Sequence, residues 1–239
     1  VDPFHASHKG DAIVGTISVN RLAGLSLIFG PLIAFVFFLI EPGGLLIDNA
    51  SVSDAVGTIA AKANNATLTN VTNIAITLGL ALILSGLYAL MRNVTLQGNG
   101  KALAQMGYFM ILVALTGWIL LGGIDFVLAD AQTDDQIMAS VPVYYTGVAL
   151  FYAGGITLGF GGFIFALGLS TRDDFNRIIS LLAALASLAV MVFFMLAVLN
   201  NDGRDTFISL ARGFYVLLVI WYGYLGFGLM KRPDPDLWQ

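Results

Sequence analysis

The sequence predicts an all-α membrane protein, a bundle of about six transmembrane helices with both termini cytoplasmic, and three observations carry that expectation. Of the 239 residues 58% are hydrophobic and only 11% are charged, against about 25% charged in an ordinary soluble domain. The apolar residues fall in six continuous runs, at Leu22–Ile40, Ile74–Met91, Met106–Leu128, Thr146–Leu169, Ile178–Leu199 and Gly213–Met230. Each run is near the roughly 20 residues that a helix rising about 1.5 Å per residue needs to cross the hydrocarbon layer.

Helices are expected rather than barrel strands because the runs are continuously apolar. A lipid-facing strand would alternate with polar lumen positions. The six runs make one domain over residues 1–239, with the lipid bilayer as its surroundings. Orientation follows from Lys and Arg, which are retained on the cytoplasmic side. With both termini inside, the inner segments hold Lys9, Arg21, Arg92, Lys101, Arg172, Arg177, Lys231 and Arg232, and the outer loops hold Lys62, Arg204 and Arg212. The first outer loop also carries three glycosylation-type triplets, beginning at Asn49, Asn65 and Asn70, which suit an outward placement.

That first loop runs from Glu41 to Asn73. Within it Val52, Val56, Ile59 and Ala63 recur at helical spacing behind Ser51 and Ser53, either of which could cap a short amphipathic helix lying on the membrane surface. In the third loop Thr133 and Gln136 fit a capping box, opening another short helix expected to stop before Pro142.

The chemistry is bounded mainly by missing residue types. There is no cysteine, both histidines (His5 and His8) precede the first run, and no run contains His, Lys or Arg. Intramembrane haem ligation by imidazole and a Schiff base on a span lysine are thereby excluded, and no cofactor or metal is expected. No nucleophile elbow, zincin motif or phosphate loop occurs, so the chain does not read as an enzyme. A net charge of −4 offers no basic stripe for nucleic acid.

One carboxylate, Asp125, lies inside a run, about a turn from its outer end. A buried charge there needs a cation. Arg212, at the start of the last run and at similar depth, is the expected partner, ahead of Arg204 and Lys62 in the loops. The fourth run is crowded with glycine, and Gly155, Gly159 and Gly162 predict a face packed closely by another helix. In the last run Trp221, Tyr222 and Tyr224 could line a pocket for a bound lipid or other apolar ligand, while Tyr108, Trp118, Tyr144, Tyr145 and Trp238 read as membrane-interface anchors.

The segment Arg21-Leu22-Ala23-Gly24-Leu25, the outer loop from Asp48 to Ala63 and the six-run plan together resemble a family of uncharacterised small integral membrane proteins of prokaryotes. The resemblance implies the fold and a place in a prokaryotic cell membrane, and it brings no catalytic residue or substrate. With glycine-rich packing faces and little ionisable machinery, the function expected is that of a non-catalytic accessory or structural subunit among other integral membrane subunits. The alternative is a transporter or channel for a small neutral or apolar solute, with the fourth and sixth runs lining the path and Asp125 at its outer mouth.

Overall fold

The computed structural model describes residues 18–95 and 99–232. Seven helices make up its regular structure: α1 (Val19–Leu39), α2 (Ala55–Asn64), α3 (Ala66–Thr95), α4 (Lys101–Ala129), α5 (Asp134–Ser170), α6 (Arg177–Leu199) and α7 (Arg204–Met230). All but the short α2 are long and apolar enough to cross a membrane. The chain is thus an all-helical integral membrane protein.

Local chemistry sets the starts. Ser18, Asp54 and Asn176 accept hydrogen bonds from the first-turn amides of α1, α2 and α6, and Thr133 and Gln136 form the complete capping box of α5. Gly100 opens α4 at φ 74°, and a Cβ there would stand 2.2 Å from the carbonyl oxygen of Gly168. Only glycine meets both demands.

The six long helices close a ring in chain order. α1 packs on α3, α3 on α4, α4 on α5, α5 on α6, α6 on α7, and α7 returns to α1. Glycines sit at most of these seams, where they bring backbones together. Gly30 meets Gly79 between α1 and α3, Gly24 meets Gly226 between α1 and α7, and Gly107 meets Gly161 between α4 and α5. The outside of the ring is apolar, with Leu78 59% exposed, Phe109 64% and Leu182 61%. Such a surface is at home in lipid rather than water.

The two ends of the ring differ. Toward the termini the interior is solid, filled by side chains such as Leu27, Leu90, Phe165, Leu169 and Leu229, none more than 1% exposed. Toward the other end it is hollow, and α2 lies across the opening against α3, α4 and α5.

Four expectations about this end are corrected. α2 does form, but Asp54 caps it rather than Ser51 or Ser53. It packs into the bundle instead of lying on the membrane surface: Ala55, Thr58, Ile59, Lys62 and Ala63 are buried, and Val56 faces out. The capping box at Thr133 opens no short helix, because α5 continues through Pro142 for 37 residues. Proline removes one backbone donor, from a bond to Met138 near the start of α5, where water can serve the freed carbonyl. Finally, α3, α5 and α7 begin at Ala66, Asp134 and Arg204, well ahead of the apolar runs, since these helices extend past the hydrocarbon with polar side chains and α3 and α5 support α2 there.

Candidate functional site

The site is assembled where α2 meets the ring. Glu41, the only glutamate in the chain, follows the end of α1 and is buried. Asp125 is buried on the last turns of α4. Between them stands Lys62, which α2 carries inward on its buried face. Its Nζ donates to Oε1 of Glu41 in a short contact and lies 2.7 Å from Oδ1 of Asp125.

Burial alone would lower the Lys62 pKa. The carboxylates of Asp125 and Glu41 more than offset that, holding the ammonium above the ordinary lysine range. Among the described residues Lys62 is the cation that forms a salt bridge with each carboxylate. Two carboxylates against one ammonium leave the trio formally −1.

The expected Asp125–Arg212 pair is therefore not formed. In the ring α4 and α7 stand on opposite sides, and α2 brings Lys62 to Asp125 first. The Arg212 guanidinium lies instead over the ring of Phe38, 5.3 Å from its centroid, and its Nε has no hydrogen-bond partner. The sequence ranks Lys62 behind Arg212 because Lys62 lies in a loop and Arg212 at the start of an apolar run. A lone glutamate closing one span and a single lysine among small residues at helical spacing were the available signals.

Further bonds hold α2 and its leading loop in place. The Tyr144 hydroxyl donates to the carbonyl of Val52 at 2.9 Å, Gln132 Nε2 reaches the carbonyl of Ala63 at 3.4 Å, and Arg204 reaches Ser53 Oγ at 3.4 Å. Tyr144 is accordingly a buried tether of α2 rather than an interface anchor. Of the glycosylation-type asparagines, Asn49 is exposed in the loop. Asn65 Nδ2 is engaged by Asp48 and by the carbonyl of Ala61, and Asn70 lies within α3.

Inside the ring, next to this cluster, is a cavity of about 130 Å³. Phe35, Phe38, Trp118, Phe151, Leu158 and Tyr215 are among its walls, and Glu41 and Asp125 stand at its α2 end. Trp118 faces this cavity and donates to the Phe151 carbonyl at 3.3 Å, so it too is no interface anchor. A second chamber of about 110 Å³ lies beneath α2, lined by Thr58, Lys62, Tyr144 and Arg212. Phe38, Glu41, Leu121, Asp125 and Phe151 border both chambers.

The glycine face of α5 is satisfied within the chain. A Cβ at Gly155 would strike the Phe194 ring, one at Gly159 the Met191 backbone and one at Gly162 the Ser187 hydroxyl, all on α6. Tyr222 lines the cavity wall, whereas Tyr224 is exposed on the outside of the ring. Among the described residues no group of three or more His, Cys, Asp or Glu is placed to hold a metal. His5, His8 and Trp238 lie outside the described residues.

Fold and site together define a class: an integral membrane protein with an apolar cavity between α1, α3, α4, α5 and α7 of its helix ring, beside a helix that a buried charge cluster holds down. Compared with protein-family models, curated proteins and solved structures, the chain matches none of them.

Proposed function

We propose that this protein binds and transfers a small, largely apolar solute through the cavity in its ring, with α2 as a cap on the side away from the termini. The observation that carries the reading is the hollow half of the ring. A closely packed bundle of this size would leave few voids larger than a water molecule, yet here about 130 Å³ lies at the centre of the helices. That is comparable to the apolar cavity of about 150 Å³ that holds benzene in a well-studied protein core.

The second chamber extends the empty space toward α2, and the borders shared by the two chambers make a constriction at Phe38, Leu121 and Phe151. A passage with one blocked end and one capped end suits alternating access better than an open pore. We place the α2 end outside on the distribution of basic residues, and the protein in a prokaryotic cell membrane on the sequence resemblance alone.

Binding of benzyl alcohol to the purified protein tests the reading. Gly122 lines the cavity, and a Cβ there meets only Thr77 Oγ1 at 3.2 Å and Asn73 Oδ1 at 3.7 Å, so a leucine at this position would occupy the space. Saturable binding to the native chain, lost in a folded Gly122→Leu variant, is the expected result. Equal binding by both proteins would sink the proposal.

The accessory-subunit reading drew on the α5 glycines, and α4 and α6 of the same chain take up those faces. It keeps its own test, whether the protein leaves its native membrane with partners in fixed stoichiometry.

A further inference from the structure

A purely apolar solute crosses lipid unaided, so a dedicated cavity implies a solute with a part that lipid rejects. The charged groups at the cavity identify that part. The two on its wall are Glu41 and Asp125, and both are acidic. Their basic neighbours Lys62 and Arg212 line the second chamber and not this one.

Resting on the cavity reading above, we infer that the solute is a small amphipathic organic cation, an aromatic or aliphatic body bearing an ammonium group. Its body lies among the aromatic walls and its ammonium sits against Glu41 and Asp125. Three features fit this occupant. Lys62 engages one oxygen of each carboxylate, and an ionised carboxylate has room for more than one donor. Glu41 and Asp125 are the charged groups on this cavity's wall, so an ammonium entering it meets carboxylate oxygen and no cation. Phe151 borders both chambers, as Glu41 and Asp125 do, and Trp118 stacks on it, so ring faces that can hold a partly desolvated ammonium lie near the acidic end.

Lys62 is in this view a resident cation that the solute's ammonium meets and partly replaces. Because Lys62 belongs to α2, weakening its hold on Glu41 and Asp125 loosens the cap. Occupancy of the cavity and release of α2 are thereby linked.

The test uses three probes of the same ring and similar size: benzylammonium, benzyl alcohol and benzoate, bound to the intact protein in detergent and followed by calorimetry. Benzylammonium should bind about tenfold or more tightly than benzyl alcohol, with benzoate weakest. Glu41→Gln should erase the preference for the cation over the alcohol. Equal affinity for cation and alcohol overturns the inference and leaves the cavity reading standing. Failure of all three probes to bind overturns both. The charge series on the native chain decides the matter even if Glu41→Gln does not fold. A second readout is the α2 cap: a fluorophore on a Val56→Cys variant, on the exposed face of α2, should change its emission with benzylammonium and not with benzyl alcohol. An identical response to both probes counts against the link between occupancy and cap release.

Discussion

Lys62 bonds two carboxylates that arrive from distant parts of the chain, and its energetics are those of a buried ion cluster. Forming such a cluster gains little net stability, because desolvation offsets the Coulombic attraction, but removing one partner strands a buried charge at a cost of about 3–5 kcal/mol. Lys62→Met, which strands both carboxylates, should therefore lower stability on that scale in denaturant titrations in detergent, and Asp125→Asn should cost less because Lys62 keeps Glu41. The double variant should lose less than their sum. Combining Arg212→Gln with Asp125→Asn should give nearly additive losses, since Arg212 sits over Phe38 instead; strong coupling there would contradict the observed pairing. The pH dependence follows from the raised pKa of Lys62. A lysine held above its unfolded value contributes its full stabilisation below that value and loses it only as pH climbs beyond. Between about pH 8 and 10 the stability margin of the native chain over Lys62→Met should stay flat, and it should shrink only at higher pH. A margin that falls across the lower interval would mean that the ammonium is not held as described.

At the scale of the helix, α5 shows how glycine sets the geometry of the ring. Gly159→Leu would drive a side chain into the Met191 backbone and Gly161→Leu into the carbonyl of Gly107. Backbone cannot move aside as a flexible side chain can, so both variants should fail to fold or should melt far below the native chain. Gly117 and Gly223 meet nothing within 4 Å, and Gly117→Ala or Gly223→Ala should be neutral or stabilise by up to about 1 kcal/mol through helix propensity. Thermal melts of the four variants separate packing from propensity, and equal losses at all four sites would refute the distinction. This contrast also marks what could be read from residues alone. The glycine face of α5 was visible, because seven missing side chains in one apolar run have few other uses. That Gly223 faces open space while Gly226 meets the Gly24 carbonyl was not, since hydropathy does not say which side of a helix faces lipid. The capping box of α5 was visible from Thr133 and Gln136, but the length of the helix behind it was not. Pro142 reads as a stop when water and the support given to α2 are left out of account.

For the molecule as a whole, the six spans were legible from composition and run length, whereas the ring, its hollow half and the inward turn of α2 depend on contacts between segments far apart in sequence. Asp125 stood out as the one carboxylate in a span. Its partner did not, because the choice among Lys62, Arg204 and Arg212 is made by helix order around the ring. That same arrangement bears on orientation. At the α2 end Lys62 is held by Glu41 and Asp125, Arg212 covers Phe38, and Arg204 lies 5.8 Å from the centroid of the Tyr152 ring and bonds Asn201. Basic groups are engaged at the other end too, where Arg172 and Arg232 both reach Asp174, so orientation rests on their number. At the opposite end Arg21, Arg92, Lys101, Arg172, Arg177, Lys231 and Arg232 gather around the chain's inner loops and termini. Basic residues resist translocation, so the α2 end should face outward. The measurement is labelling by a membrane-impermeant thiol reagent in intact cells, made clean by the absence of native cysteine. A cysteine replacing Val56 on the exposed face of α2 should react at once, and one replacing exposed Asp173 between α5 and α6 only after the membrane is opened. The reverse pattern would invert the protein in the membrane and turn the capped mouth of the cavity toward the cytoplasm, so that the solute would be met there first.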